Sequence, residues 1–126
     1  MATILLIEDD ATLARMYKFK LEKEGFRVIH YADGEEGLTF ATTNKVDLIL
    51  LDMMLPRLAG NMFLQTLRQH PNGTETPVIV LSNLTDVDQK EQAHKLGAKE
   101  YLAKAMHTPE EVVEKVKQYV KIQLTA

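Results

Sequence analysis

The sequence predicts an α/β domain in which five strands of a parallel sheet alternate with five helices that cover both faces of the sheet. Five short apolar runs recur along the chain, at residues 4–7, 26–29, 46–51, 78–81 and 98–102. Between them lie polar segments with helix start and stop signals. The length of 126 residues allows one domain with a hydrophobic core and little more.

Three of the runs, 4–7, 46–51 and 78–81, are almost continuously apolar and rich in branched residues. This pattern is typical of strands buried on both faces of a parallel sheet. Right-handed crossovers leave few topologies for such a chain. We expect the most apolar run, 46–51, to be the central strand.

Apolar stripes predict which helix faces are buried. The stripes are Leu13, Tyr17 and Leu21 in the first helix, Phe63, Leu64 and Leu67 in the third, and Val112, Val113, Val116, Val120 and Leu124 in the fifth. The fourth helix is mostly polar, with Val87, Ala93 and Leu96 as its few anchors. We expect it to be the most loosely held helix, or one that a partner covers.

Helix ends are marked by capping residues. Asp33 with Glu36 resembles a capping box for the second helix, and Thr85 with Asp88 is a candidate cap for the fourth. The segment 108–111, Thr-Pro-Glu-Glu, is the strongest start signal and opens the fifth helix. The stop signals are Gly25, residues 70–73 and Gly97.

Composition excludes several classes of protein. The absence of cysteine excludes disulfides, thiolate metal sites and cysteine nucleophiles. No apolar run is long enough to span a membrane, and the N-terminus lacks the basic region of a secretory signal. The net charge of −3, with no basic block, argues against direct nucleic-acid binding. We therefore expect a small cytoplasmic domain.

The residues that carry chemistry follow the predicted strands. In an open α/β sheet, ligands bind outside the carboxyl ends of the strands. The polar residues expected at that edge are Glu8, Asp9 and Asp10 after the first run, Asp52 after the third, Ser82 after the fourth and Lys104 after the fifth. Singly, each has an ordinary role as a helix cap, a loop hydroxyl or a surface charge. Their joint placement at one edge favours a functional site.

The chemistry of this set points to phosphoryl transfer. Carboxylates this close repel unless a cation joins them, and oxygen ligands without His or Cys favour Mg²⁺. A lysine and a hydroxyl can then bind phosphoryl oxygens. Asp52 is the best candidate nucleophile, forming an aspartyl-phosphate, because it follows the strand expected at the centre.

The motif order resembles the receiver domain of bacterial two-component response regulators over about residues 3–120. The motifs that carry the resemblance are Ile-Leu-Leu-Ile-Glu-Asp-Asp at 4–10, Asp-Leu-Ile-Leu-Leu-Asp-Met-Met-Leu-Pro at 47–56, Gly60, Val-Ile-Val-Leu-Ser at 78–82 and Tyr-Leu-Ala-Lys at 101–104. The resemblance implies a flavodoxin-like fold with strand order 2-1-3-4-5. It also implies that residues 1–126 are a single receiver domain without an effector domain.

The resemblance assigns roles to the acidic residues. It implies that Asp52 accepts a phosphoryl group from the phosphohistidine of a sensor histidine kinase or phosphotransfer protein. Glu8 and Asp9 match the acidic pair that holds Mg²⁺, with Asp52 and the Met54 main-chain carbonyl as the other protein ligands. Asp10 is an additional candidate ligand.

The same resemblance implies a switch. Ser82 matches the hydroxyl that turns towards the phosphoryl group, Lys104 the lysine that binds it, and Tyr101 the aromatic residue that moves with the hydroxyl. The change would reach the face formed by the fourth helix, fifth strand and fifth helix, where a downstream protein binds. The domain would catalyse its own phosphorylation and dephosphorylation without turning over an external substrate.

Two positions depart from the family pattern. Lys104 precedes Ala105, where the family usually has a proline with a cis bond, so the geometry of this loop and the lifetime of the phosphorylated state are open. Asn83 follows Ser82, where the family usually has a small residue.

Other functions fit the sequence less well. A haloacid-dehalogenase-type phosphatase needs a second Asp two residues after the nucleophile, where this chain has Met54. P-loop and dinucleotide-binding glycine motifs are absent, and the four histidines lack metal-ligand spacing and are expected on the surface. Two alternatives stay open: a pseudo-receiver that is regulated without phosphorylation, and a truncated receiver from a larger transcriptional regulator.

Overall fold

The computed structural model describes residues 1–53, 55, 58–83 and 87–125, with side chains through residue 120. Its elements in chain order are β1 (Thr3–Ile7), α1 (Ala11–Lys23), β2 (Arg27–Tyr31), α2 (Gly34–Thr43), β3 (Leu48–Asp52), α3 (Gly60–Arg68), β4 (Val78–Ser82), α4 (Val87–Lys95), β5 (Glu100–Ala103), a 3₁₀ turn (Lys104–Met106) and α5 (Pro109–Thr125). All strand pairs are parallel, in the order β2-β1-β3-β4-β5. The predicted fold class and strand order are confirmed.

The three interior strands, β1, β3 and β4, are buried along almost their whole length, as their apolar runs predict. β3 and β5 each begin two residues later than the run that predicts them. Val46 and Ala98, which begin those runs, are buried but precede the strands. An apolar run therefore indicates which residues are buried in the core, and these include residues just outside the paired strand.

Successive strand residues point to opposite faces and divide the core in two. α1 and α5 cover one face, where Tyr17, Leu21 and Val116 pack on Leu6 and Leu50. The other face is covered by α2, α3 and α4, whose buried members include Ala41, Phe63, Leu64, Leu67 and Ala93. Within the part of the chain described, no helix is both long and apolar enough to cross a lipid bilayer.

The capping residues largely act as predicted. Glu111 N donates to Thr108 Oγ1 at 3.2 Å and Thr108 N donates to Glu111 Oε1 at 3.1 Å, which is the reciprocal pair of a capping box. Asp33 caps α2 by accepting from Glu35 N at 2.8 Å, one residue earlier than the predicted partner Glu36. The proposed cap Thr85 lies outside the described residues.

The thin anchoring predicted for α4 is confirmed, but one of its predicted anchors is wrong. Among the described residues of this helix, Ala93 is the buried one, whereas Val87 is 65% exposed. Residues 90 and 91, one turn later in the helix, are Lys and Glu, so the next turn does not continue an apolar stripe from Val87.

Arg68, at the end of α3, joins the loops at the amino ends of β4 and β5. Its guanidinium donates to the main-chain oxygens of Leu96, Gly97, Gly73 and Thr76, at 2.8, 3.2, 2.8 and 2.7 Å. Gly97 has φ +87°, and a side chain there would also press on the guanidinium. The planar fork of arginine thus satisfies carbonyls from two separate loops.

We predict that Arg68→Met lowers the free energy of unfolding by roughly 2–3 kcal/mol, because partly buried carbonyls lose a charged donor. Urea unfolding followed by circular dichroism measures the change. Arg15→Met, at an exposed position of α1, is the matched control and should change the stability by less than about 0.5 kcal/mol. Equal losses in the two variants would contradict the role given to Arg68.

Candidate functional site

The carboxyl ends of four strands bring the predicted site residues to one edge of the sheet. Glu8 and Asp9 follow β1, Asp52 ends β3, Ser82 ends β4 and Lys104 follows β5. The parallel register keeps these ends level. Residues up to 96 positions apart in sequence thereby meet within hydrogen-bonding distance.

Lys104 bridges two buried carboxylates. Its Nζ lies 2.7 Å from Glu8 Oε1 and 3.2 Å from Asp52 Oδ2. Glu8 is 1% exposed and Asp52 4%, and the Lys104 side chain is 13% exposed. The bridge is therefore largely removed from water, where electrostatic interactions are strong and an unpaired charge is costly.

The buried charged groups shift one another's pKa values. The pKa of Glu8 is raised to about 7, mainly by burial and in addition by the neighbouring Asp52, while the Lys104 ammonium acts in the opposite direction. For Lys104, burial lowers the pKa, but the hydrogen bond to Glu8 and the charges of Asp52 and Glu8 outweigh it, so the net shift is upward. The lysine stays positively charged while Glu8 is poised to exchange a proton near neutral pH.

Three carboxylates form a group that fits a hard divalent cation. Oxygen atoms of Glu8, Asp9 and Asp52 lie within 4.8 Å of one another. Glu8 and Asp52 are buried and Asp9 is exposed, so the group opens to solvent on one side. Such an oxygen-only set, with access to water, suits Mg²⁺, which keeps several waters and takes one or two carboxylates.

The two remaining candidate ligands are Asp10 and the main-chain carbonyl of Met54. Asp10 is the N-cap of α1, where its Oδ1 accepts from Leu13 N at 3.0 Å. Among the described residues, the carboxylate group that could hold a metal does not include Asp10. Met54, whose main-chain carbonyl is the remaining predicted ligand, lies outside the described residues.

The two predicted switch residues occupy neighbouring strands. Ser82 is completely buried at the end of β4. Tyr101 in β5 is opposite Val80, two residues before Ser82. Its hydroxyl is buried and, within the described part of the chain, has no hydrogen-bond partner. A buried hydroxyl without a hydrogen bond costs free energy, which a hydrogen bond or exposure to water would recover.

The structure describes the main chain at Lys104–Ala105 and the exposure of Asn83, the two departures from the family pattern. None of the described residues follows a cis peptide bond, so Lys104–Ala105 is trans, and the chain continues as the 3₁₀ turn. Asn83 is exposed at the edge of the sheet beside Ser82.

One residue near the site was not predicted. His30, in β2, is exposed as expected, but its Nε2 lies 2.8 Å from the main-chain oxygen of Glu8. The available signal was its position: it lies one residue before the end of the strand that neighbours β1.

A family model describing the response regulator receiver domain matches residues 4–117. The chain belongs to this family. As a receiver domain, it functions in phosphoacceptor signalling within two-component systems.

Relatives of this receiver domain are found among curated proteins. It is 39% identical over 100 residues to YcbL of Bacillus subtilis, named an uncharacterized transcriptional regulatory protein. That match covers 79% of this chain and 43% of YcbL. The chain thus spans less than half the length of this relative.

Solved structures of other receiver domains have the same fold. The receiver domain of the Francisella response regulator 1452 superposes with a TM-score of 0.87 at 32% identity, covering 98% of this chain and 99% of that one. The receiver domain of the sensor histidine kinase PA1611 from Pseudomonas aeruginosa gives a TM-score of 0.84 at 28% identity, covering 95% of this chain and 98% of that one. That structure is described with a magnesium ion coordinated in the active-site cleft.

The raised pKa of Glu8 predicts a pH-dependent stability for the receiver domain. The folded state binds the Glu8 proton more tightly than the unfolded chain, so protonation stabilises the fold. As the pH rises from about 4.5 through about 7, the free energy of unfolding should fall by roughly 2–3 kcal/mol. Urea unfolding at a series of pH values, with a chelator present to remove divalent cations, measures this slope.

Two glutamine variants isolate the contribution of Glu8. Glu8→Gln should remove most of the decline between these pH values, because the amide does not titrate. Glu36→Gln, at an exposed position of α2, should keep the wild-type slope. If Glu8→Gln keeps it as well, another group is responsible for the titration.

Proposed function

We propose that this domain is a phosphoacceptor switch in which Asp52 takes a phosphoryl group in a Mg²⁺-dependent reaction. The observation that carries the proposal is the buried bridge of Lys104 between Glu8 and Asp52, at the edge of the sheet where Asp9 opens the group to solvent. Membership in the receiver family supports a histidine kinase or a phosphotransfer protein as the donor.

The transfer is a displacement at phosphorus. A carboxylate oxygen of Asp52 attacks the phosphorus of a donor phosphohistidine, a P–O bond forms, and the P–N bond breaks. The donor imidazole leaves with the bonding electron pair and takes up a proton. Water later hydrolyses the acyl phosphate, which releases inorganic phosphate and restores Asp52. We expect the domain to turn over no external substrate.

The surrounding charges suit this reaction. Mg²⁺, held by Glu8, Asp9, Asp52 and, as we propose, the Met54 carbonyl, would offset the charge of the phosphoryl oxygens. We assign Asp10 to capping α1 rather than to the metal. The Lys104 ammonium, 3.2 Å from Asp52 Oδ2, lies where it can bind an oxygen of the incoming group.

The proposed switch runs from Ser82 to Tyr101. A phosphoryl group on Asp52 adds strong acceptor oxygens, to which the Ser82 hydroxyl can donate. Movement of Ser82 frees space for Tyr101, whose buried hydroxyl lacks a partner among the described residues. The weakly anchored α4 packs beside β5, so the change alters the α4–β5–α5 face, where we place the contact with a downstream protein.

A second candidate concerns the output. YcbL is named a transcriptional regulatory protein and the match covers 43% of it, which favours a longer regulator in which this domain controls a further segment. The size of the native protein, measured by immunoblot of its source cells with an antibody to this domain, distinguishes this arrangement from a stand-alone receiver.

We predict that Asp52→Asn abolishes labelling by a small phosphodonor in the presence of Mg²⁺, because the amide oxygen is not an adequate nucleophile. Intact-protein mass spectrometry measures the added phosphoryl group. Asp33→Asn is the matched control: it keeps a good N-cap for α2 and should label like the wild type. Undiminished labelling of Asp52→Asn would contradict the assignment.

Phosphoryl labelling and binding of a phosphoryl mimic together distinguish a phosphoacceptor domain from a pseudo-receiver. With Mg²⁺ and beryllofluoride, a phosphoryl mimic, amide resonances at the site and in α4 and β5 should shift in the wild type. A pseudo-receiver would show neither labelling nor these shifts.

We predict that Ser82→Ala separates binding of the mimic from its relay. Resonances around Asp52 should still shift with beryllofluoride. The shifts in α4 and β5 should fall by at least about half, because the variant lacks the Ser82 hydroxyl that would donate a hydrogen bond to the phosphoryl mimic. Thr76→Val removes a hydroxyl just before the other end of β4 and should leave both sets of shifts intact. Full relay in Ser82→Ala would contradict the role of the hydroxyl.

A further inference from the structure

His30 holds the peptide unit that joins the two acidic residues after β1. The Glu8 carbonyl oxygen can only accept, so the 2.8 Å contact requires a proton on Nε2 of His30. On the same backbone, Glu8 N donates to the Tyr31 carbonyl at 3.1 Å. The strand neighbouring β1 therefore holds Glu8 from both sides, once through its main chain and once through a side chain.

The hydrogen bond from His30 fixes the orientation of the peptide unit between Glu8 and Asp9. The Glu8 carbonyl belongs to the same peptide unit as the Asp9 nitrogen, so fixing that oxygen fixes the direction in which the chain leaves β1. Glu8 then places its carboxylate inwards, where it is buried, and Asp9 is exposed, yet oxygens of both lie within 4.8 Å of each other and of Asp52. Rotation of the peptide would separate them.

We propose that His30 is a positioning residue for the divalent-cation site, acting through the Glu8 main-chain oxygen on Glu8 and Asp9. The inference rests on the proposed function, because it concerns the cation of that site. Groups that orient metal ligands without touching the metal typically change metal affinity when removed. A hydrogen bond from an exposed side chain is at the lower end of such effects, so we expect a change of roughly 3- to 10-fold.

The test is a Mg²⁺ titration of the intact chain followed by amide resonances. Every variant is measured at the same pH, about pH 8, above the range in which imidazole groups ordinarily titrate. His30→Leu should weaken Mg²⁺ binding roughly 3- to 10-fold. His30→Gln, whose side-chain N–H can donate to the same carbonyl, should bind within about twofold of the wild type.

Two controls separate positioning from a general loss of structure. The metal-free unfolding midpoint of His30→Leu should fall only slightly below that of the wild type, because His30 is exposed and a single hydrogen bond is lost. His70→Leu makes the same change at an exposed histidine just after α3 and should leave Mg²⁺ affinity unchanged.

The outcomes distinguish this inference from the proposed function. Wild-type affinity in His30→Leu, or a His30→Gln variant as weak as His30→Leu, overturns the positioning role alone. If Mg²⁺ shifts no resonances at Glu8, Asp9 and Asp52 in the wild type, or if Asp9→Asn binds as tightly as the wild type, the proposed site fails and the inference fails with it.

Discussion

The ammonium of Lys104 lies between two carboxylates that the fold has removed from water. Burying Glu8 and Asp52 without a counter-charge would cost several kcal/mol, and one ammonium offsets only part of the combined charge of Glu8, Asp9 and Asp52. The ammonium thus makes the burial of these carboxylates compatible with folding, but the three acidic residues still leave a surplus of negative charge at the site. The arrangement requires β1, β3 and β5 to end level, which the parallel register provides.

Most of the fold could be predicted because burial on two faces leaves a simple sequence signal. β1, β3 and β4 were recognisable as continuous apolar runs, and the capping box at Thr108 marked the start of α5. Strand beginnings were less predictable, because Val46 is buried by the core without pairing in the sheet. Val87 misled for a related reason: an apolar residue is buried only where neighbouring residues complete a stripe.

The site was predictable to the extent that parallel strands deliver their last residues to one edge. Glu8, Asp52 and Lys104 could be brought together by topology alone. The contact of His30 with Glu8 could not, because it depends on how far a side chain on one strand reaches over the end of the next. Likewise, Arg68 reaches carbonyls in two loops, which no local pattern marks. Side-chain reach across elements is a three-dimensional property.

The Arg68 contacts also determine how α4 can move. The guanidinium binds the carbonyls of Leu96 and Gly97, directly after the helix, whereas Val87 at its start is largely exposed and Ala93 is its buried residue among those described. Displacing the C-terminal end of α4 would break these charged hydrogen bonds. Sliding α4 along the sheet would break them, whereas a rotation of α4 about its C-terminal end can keep them. If the proposed switch operates, a small rearrangement next to Ser82 would then displace the N-terminal end of α4 more than its C-terminal end.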